Sequence, residues 1–226
     1  MKNLNLLILL LITIFWGSCS YTESIEEINP SLTLWYNKPA HGWIEALPVG
    51  NGRIGGMVYG DLQNDTIQFN EETLWTGQPH DYAHKDAYKY LGKLRQLLWS
   101  GKQEEAHELG NERFMSQPFG QQAYQPFGDI LLTFPGHENA VNYQRRLDLQ
   151  KAISSVFYEL DGVKYKREVF VSGPGKAMII HLEASKNGAL NFIAGLDCPH
   201  DDYNITVKNN EIILKGKANN YPQKLG

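Results

Sequence analysis

Gly50, Gly52 and Gly55 stand at the G-x-G-x-x-G spacing, which cradles a pyrophosphate when a strand precedes it and a helix N-terminus follows. Both flanks argue against that chemistry here. Pro48 sits just before the glycines, where the strand should be, and Met57-Val58-Tyr59-Gly60-Asp61 after them is β-prone and ends in a turn. The five glycines between Gly50 and Gly60 read instead as sites of positive φ or close backbone packing beside a strand. No cofactor is expected.

Other chemistries are no better served. His41, His80, His84, His107, His137, His181 and His200 are scattered, without H-E-x-x-H or paired cysteines, so no metal site is expected. His80 and His84 are four apart, but Pro79 puts them in a loop. There is no G-x-S-x-G elbow. Cys198, in Asp197-Cys198-Pro199-His200, has no helix N-terminus or basic partner to make it a thiolate; it reads as a small buried hydrophobe, and His200 as a satisfied loop histidine. Glycoside hydrolysis needs two carboxylates facing one bond, at a separation that spacing along the chain does not report. Glu71 and Glu72 are adjacent, so in a strand they face opposite ways. What remains is a polar and aromatic tip at Asn70, Glu71, Thr73 and Trp75, presented after the glycine-packed stretch from Leu47. It has the make-up of a sugar-facing loop, and no catalytic constellation accompanies it.

The elements that must hold this tip are mostly strands. Short β runs are predicted at Leu32–Tyr36, Arg53–Tyr59 and Thr66–Phe69, the last two joined by Gln63-Asn64-Asp65. From Asp86 to Met115 the pattern becomes helical, with Ala87, Leu91, Leu94 and Leu98 on one face, a break at Ser100-Gly101, and Ala106, Leu109 and Arg113 beyond it. This predicts a helical hairpin whose apolar face packs on a sheet. Strands return at Asp129–Phe134, Tyr143–Leu149 and Ile153–Leu160, and Asp161-Gly162 marks a two-residue hairpin turn. Further runs at Ala177–Glu183, Ala189–Leu196, Ile205–Val207 and Ile212–Leu214, with a turn at Asn209-Asn210, complete about a dozen strands, the signature of a large antiparallel sandwich.

Composition narrows the function classes. The chain has 226 residues and a net charge of -4, long enough for a sizeable core and without the basic stripe that nucleic acid requires. Twelve Tyr and five Trp suit strands and also suit packing on the apolar face of a pyranose.

The first 19 residues have a leader's layout: Lys2, then an apolar run from Leu4 to Trp16, then Gly17-Ser18-Cys19. Such a stretch is too short for a permanent membrane span. The cysteine after Gly17-Ser18 resembles a bacterial lipobox, so Cys19 is the expected lipidation site and first mature residue. Trp16 departs from that pattern and keeps ordinary secretion as the alternative. Residues 20–31 are polar and acidic and read as a flexible tether. The folded domain is expected over 32–226. The protein is therefore expected to be exported, in the periplasm or on the outer membrane or cell surface, with the membrane reached only through the lipid.

Several stretches, taken in order, carry a resemblance: Trp43-x-x-Ala46-Leu47-Pro48-Val49-Gly50-Asn51-Gly52-Arg53-Ile54-Gly55, then Asn70-Glu71-Glu72-Thr73-Leu74-Trp75-Thr76-Gly77, then Gly101-Lys102-x-x-Glu105-Ala106, then Tyr124-Gln125-Pro126-Phe127-Gly128-Asp129, then Tyr143-x-Arg145-x-Leu147-Asp148-Leu149, then Arg167-Glu168-x-Phe170-x-Ser172. Together they resemble the N-terminal domain of glycoside hydrolase family 95, the family of α-L-fucosidases, from about Leu32 to Leu196. The resemblance implies a mainly β fold, a large antiparallel β-supersandwich of the galactose-mutarotase-like kind with an inserted helical hairpin, here cut before its last strands. It also implies a catalytic (α/α)6 barrel in the same polypeptide, which holds the general acid and the groups that activate water. Terminal α-1,2-linked fucose is the implied substrate, removed with inversion.

On this reading the chain is the N-terminal module of an exported α-L-fucosidase, acting on fucosylated glycans and inactive without its barrel. Asn70, Glu71, Thr73 and Trp75 then face the barrel or the sugar, or merely cap the sandwich. A non-catalytic carbohydrate-binding or docking lipoprotein is the alternative.

Overall fold

A computed structural model describes residues 29–77, 79, 81–116 and 122–219. The leader, Cys19, the first part of the tether and His80 lie outside the described residues. The chain divides into residues 1–31 and residues 32–226. Within the first unit, the Ser31 N–H donates to Asn29 Oδ1 at 3.1 Å.

The strands of the second unit are, in chain order, β1 (Thr33–Tyr36), β2 (Leu47–Gly50), β3 (Ile54–Val58), β4 (Asn64–Glu71), β5 (Gly128–Thr133), β6 (Val141–Asp148), β7 (Ile153–Leu160), β8 (Val163–Ser172), β9 (Ala177–Ala184), β10 (Ile193–Asp197), β11 (Asp202–Lys208) and β12 (Glu211–Lys217). Helices α1 (Ala87–Trp99) and α2 (Gln103–Arg113) lie between β4 and β5. One five-stranded sheet runs β1-β6-β7-β8-β9, a second runs β10-β5-β4-β3-β2, and β11-β12 is a separate hairpin. Every pairing is antiparallel. The mainly β sandwich with a helical hairpin is thus the observed architecture.

The core follows from period-two alternation. Leu47 and Val49 of β2, Val58 of β3, Ile67 of β4 and Leu132 of β5 turn inward, against Leu147 of β6 and Val169 of β8. Their neighbours along each strand face out, so one sheet surface is apolar and the other is free to carry polar groups. The β7–β8 turn is the one the sequence predicts: Asp161 and Gly162 have φ of 51° and 74°, the pair of positive values that a type I′ turn demands.

Two buried arginines tie loops and sheets together. Arg167 of β8 and Asp65 of β4 are 4% and 3% exposed and lie 3.1 Å apart. Arg167 also donates to the carbonyls of Asp61 (2.6 Å) and Leu62 (2.7 Å) and to Tyr158 Oη (3.1 Å). Asp65 accepts the N–H groups of Gly60 and Asp61, so both charges are compensated where an unpaired one would be costly. Arg145 of β6 donates to Lys38 O at 2.8 Å and Glu45 O at 2.7 Å. It thereby holds the loop that presents Trp43.

Two expectations need correction. Leu47–Gly50 is a strand despite Pro48, because β2 is the last strand of its sheet and an edge tolerates a residue without an N–H. A strand does precede the glycines, then; the dinucleotide reading fails because β3 rather than a helix follows them. The helical hairpin forms with its break at 100–102, but its apolar residues do not settle on a sheet. Each helix packs chiefly on the other, with Leu97 and Ala106 buried at the seam, and Leu91 and Leu98 remain exposed. Two helices side by side bury a narrower stripe than a helix laid on a sheet.

Candidate functional site

The predicted tip lies at the end of β4, and the structure brings all four of its residues into one short stretch. The Asn70 amide donates to Gln125 O at 3.0 Å, and its Oδ1 accepts the Glu71 N–H. Glu71 Oε1 accepts from Arg53 Nε at 2.8 Å, and Oε2 accepts both the N–H and the hydroxyl of Thr73. The Thr73 bonds, with Arg53 behind them, hold the Glu71 carboxyl below the usual carboxylate range. A carboxylate so engaged is a brace for the turn and is poorly placed to give or take a proton.

Trp75 is different. Its Nε1 donates to Glu72 O at 3.0 Å, while the ring packs on Tyr124 with centroids 5.0 Å apart. Both rings stay about half exposed, at 48% and 46%. Residues 74–76 zip onto 123–125 through backbone bonds, so two aromatic rings are held by rigid backbone beyond the end of β4, the central strand of the second sheet.

Tyr124 also lines a cup of ≈ 560 Å³ on the outer face of the second sheet. Register explains its floor. Pro48 pairs with Met57, Met57 with Gln68, Gln68 with Asp129 and Asp129 with Asp197, so one row of outward side chains crosses all five strands. A second row holds Gly50, Gly55 and Asn70. Trp43, Tyr124, Pro126 and Pro199 form the rim.

The polar groups of the cup are oriented by their neighbours. The Tyr59 hydroxyl donates to Gln68 Oε1 at 3.4 Å, and Gln68 hydrogen-bonds Asp129. Asp197 Oδ1 accepts the Tyr203 hydroxyl at 3.1 Å and the Cys198 N–H at 2.8 Å. Burial, followed by the Asp197 charge, pushes the Asp129 carboxyl up. The walls are braced as well. His200 Nδ1 accepts the Asn219 N–H, so its Nε2 donates to Pro126 O at 2.9 Å, and Cys198 Sγ donates to Phe127 O at 3.5 Å. His200 and Cys198 are therefore the structural residues that the sequence predicts.

Sequence reasoning did not single out Trp43, Gln68, Asp129 or Asp197 as a group. They come from distant stretches and meet only through strand register. The usable signal was the polar residue in every second position of β4, at Asn64, Thr66, Gln68 and Asn70, which marks its outer face; β5 breaks that alternation at Leu131. Several motif residues now have physical roles. A Cβ at Gly128 would overlap the Asp197 carbonyl oxygen, so only glycine lets β10 lie close enough to set Asp197 beside Asp129.

Chemically, the arrangement suits binding. Asp129 and Asp197 are directly opposed on adjacent strands, so both approach a ligand from the same side; glycoside hydrolysis needs carboxylates flanking the bond. Among the described residues no group of three His, Cys, Asp or Glu side chains is placed to hold a metal ion.

A family model described as glycosyl hydrolase family 65, N-terminal domain, matches residues 34–225. Alpha-L-fucosidase 2 of Arabidopsis thaliana is 32% identical over 197 residues, which is 85% of this chain and 23% of the plant protein. Probable alpha-fucosidase A of Aspergillus oryzae is 24% identical over 172 residues, 71% of this chain and 23% of its own length. The protein of that name from Aspergillus niger is 26% identical over 204 residues, 84% and 24% respectively. The chain spans about a quarter of the length of these relatives.

Proposed function

The chain belongs to the family of the glycosyl hydrolase family 65 N-terminal domain, and from that premise we propose that it is the N-terminal module of an exported α-L-fucosidase of glycoside hydrolase family 95. The observation that carries this is the match to the plant α-L-fucosidase across 85% of the chain. The ordered motifs from Trp43 to Ser172 support family 95 in particular. The reaction is hydrolysis of terminal α-1,2-linked fucose with inversion, performed by a helical barrel outside these 226 residues. The layout of residues 1–19 supports export and a lipid on Cys19.

In this reading Asn70, Glu71, Thr73 and Trp75 face the barrel or the sugar. Asn70, Glu71 and Thr73 hold the shape of the turn, and Trp75 presents the contact surface. The test compares the 226-residue chain with a polypeptide that continues into the barrel, using 2'-fucosyllactose. The longer protein releases fucose and the shorter one does not, and Trp75→Ala in the longer protein lowers kcat/KM by about ten-fold, the loss of one aromatic contact. Fucose release by the 226-residue chain, or an unchanged kcat/KM in the variant, overturns the corresponding part.

A further inference from the structure

We propose that the cup on the outer face of the β10-β5-β4-β3-β2 sheet is a binding site for one neutral hexopyranose ring. The proposal rests on the glycoside hydrolase reading only in that glycans are the ligands such a protein meets.

A pyranose presents an apolar face of C–H groups and a girdle of hydroxyls. The cup offers the complement of both. Trp43, 59% exposed, and Tyr124 stand at the rim as flat, half-bare rings, the side chains that combine large apolar area with low entropy cost on binding. On the floor Asp129 and Asp197 are opposed acceptors. Among the described residues no Lys, Arg or His pairs with either. Beyond the bonds from Gln68 to Asp129 and from Tyr203 and Cys198 to Asp197, each carboxylate keeps acceptor capacity, and vicinal hydroxyls are uncharged donors that fill it. The same pair repels uronic acids, sialic acids and phosphates.

The site is also preformed. Tyr59 and Gln68 orient Asp129 from one side, and Tyr203 orients Asp197 from the other. At the centre is Gly55, where an added Cβ meets nothing closer than Val49 O at 3.9 Å. The space above it is open because the strand leaves it unfilled. A cavity of ≈ 560 Å³ is within the range of small-molecule sites and admits one ring with its linkage.

The 226-residue chain is titrated with methyl α-L-fucopyranoside and with methyl β-D-galactopyranoside, followed by tryptophan fluorescence and ligand-observed NMR. At least one saturates with a Kd on the order of 1 mM, and glucuronate binds at least about ten-fold more weakly. Gly55→Val fills the cup without removing a polar group, and Trp43→Ala removes a rim ring. Each weakens binding by about ten-fold or more, with the unfolding midpoint of Trp43→Ala unchanged. The proposal is overturned if neither sugar saturates, as it would be were the cup a seat for the rest of a longer polypeptide. It is overturned equally if Trp43→Ala binds like the parent, or if glucosamine or calcium binds more tightly than the neutral sugars. Those results leave the fucosidase reading standing, since fucose release by the longer protein decides that one.

Discussion

At the scale of the residue, the energetics concentrate in charges that face each other inside or against the sheets. Arg167 and Asp65 satisfy one another at the core. Burial pushes the Asp65 carboxyl up, and Arg167 with two backbone N–H groups opposes that push. Arg167→Met leaves Asp65 buried without its cation and is expected to cost about 3–5 kcal/mol in urea unfolding. Two exposed or half-buried carboxylates predict opposite pH behaviour. Asp129 is raised in the folded chain, so between the ordinary carboxylate value and the raised one the folded state holds a proton that the unfolded state has lost. Its effect is therefore to lower stability as pH rises through that window. Asp129→Asn should raise the Tm at neutral pH and leave it unchanged in acid. Glu71 is lowered by Thr73 and Arg53, so its contribution is present above the ordinary carboxylate value and is lost as pH falls through the lowered one. Glu71→Gln should lower the Tm at neutral pH and make no difference in acid. Thermal melts of the two variants across pH check both signs.

At the scale of the element, the second sheet depends on how closely β10 approaches β5. The Asp197 carbonyl occupies the place where a side chain on Gly128 would begin, and because the obstacle is backbone it cannot rotate away. Gly128→Ala is expected to cost about 1–3 kcal/mol and to displace Asp197 from Asp129, visible as amide shift changes at β10 and as lost sugar binding. The helical hairpin shows which features of an element are local. Its break was legible at Ser100-Gly101, and Gly101 takes a φ of 72°, as a helix end requires. The face it buries was not legible: Leu91, Leu94 and Leu98 recur at helical spacing, but the seam centres on Leu97 and Ala106. Periodicity says that a helix has an apolar side; the partner decides which part of that side is covered.

At the scale of the whole molecule, apolar surface outside the sandwich core has a consequence in solution. Trp99 is 83% exposed, and Tyr88 and Leu98 on the same helix are also open, a concentration that favours association. Trp99→Glu should leave stability within about 0.5 kcal/mol of the parent and reduce self-association in analytical ultracentrifugation. The antiparallel sandwich and the Asp161-Gly162 turn could be read from the chain, because they follow from alternation and local turn chemistry; Cys198 and His200 could be read as structural only because no activating neighbour accompanies them, and the carbonyls of Phe127 and Pro126 that satisfy them come from a distant stretch. The tip at Asn70, Glu71, Thr73 and Trp75 could be read as a single stretch, since its hydrogen bonds are largely local. The β2 strand was obscured by Pro48, whose missing N–H matters only if another strand lies on that side, and edge position is a property of the assembled sheet. The cup is the extreme case. Trp43, Gln68, Asp129 and Asp197 are brought together by the register of five strands and by an arginine that anchors the Trp43 loop, and no periodicity in one strand reports what lies opposite it on the next. Local chemistry was thus written in the order of the residues, while the site became visible only after the strands had paired, because pairing rather than proximity along the chain sets which side chains share a face.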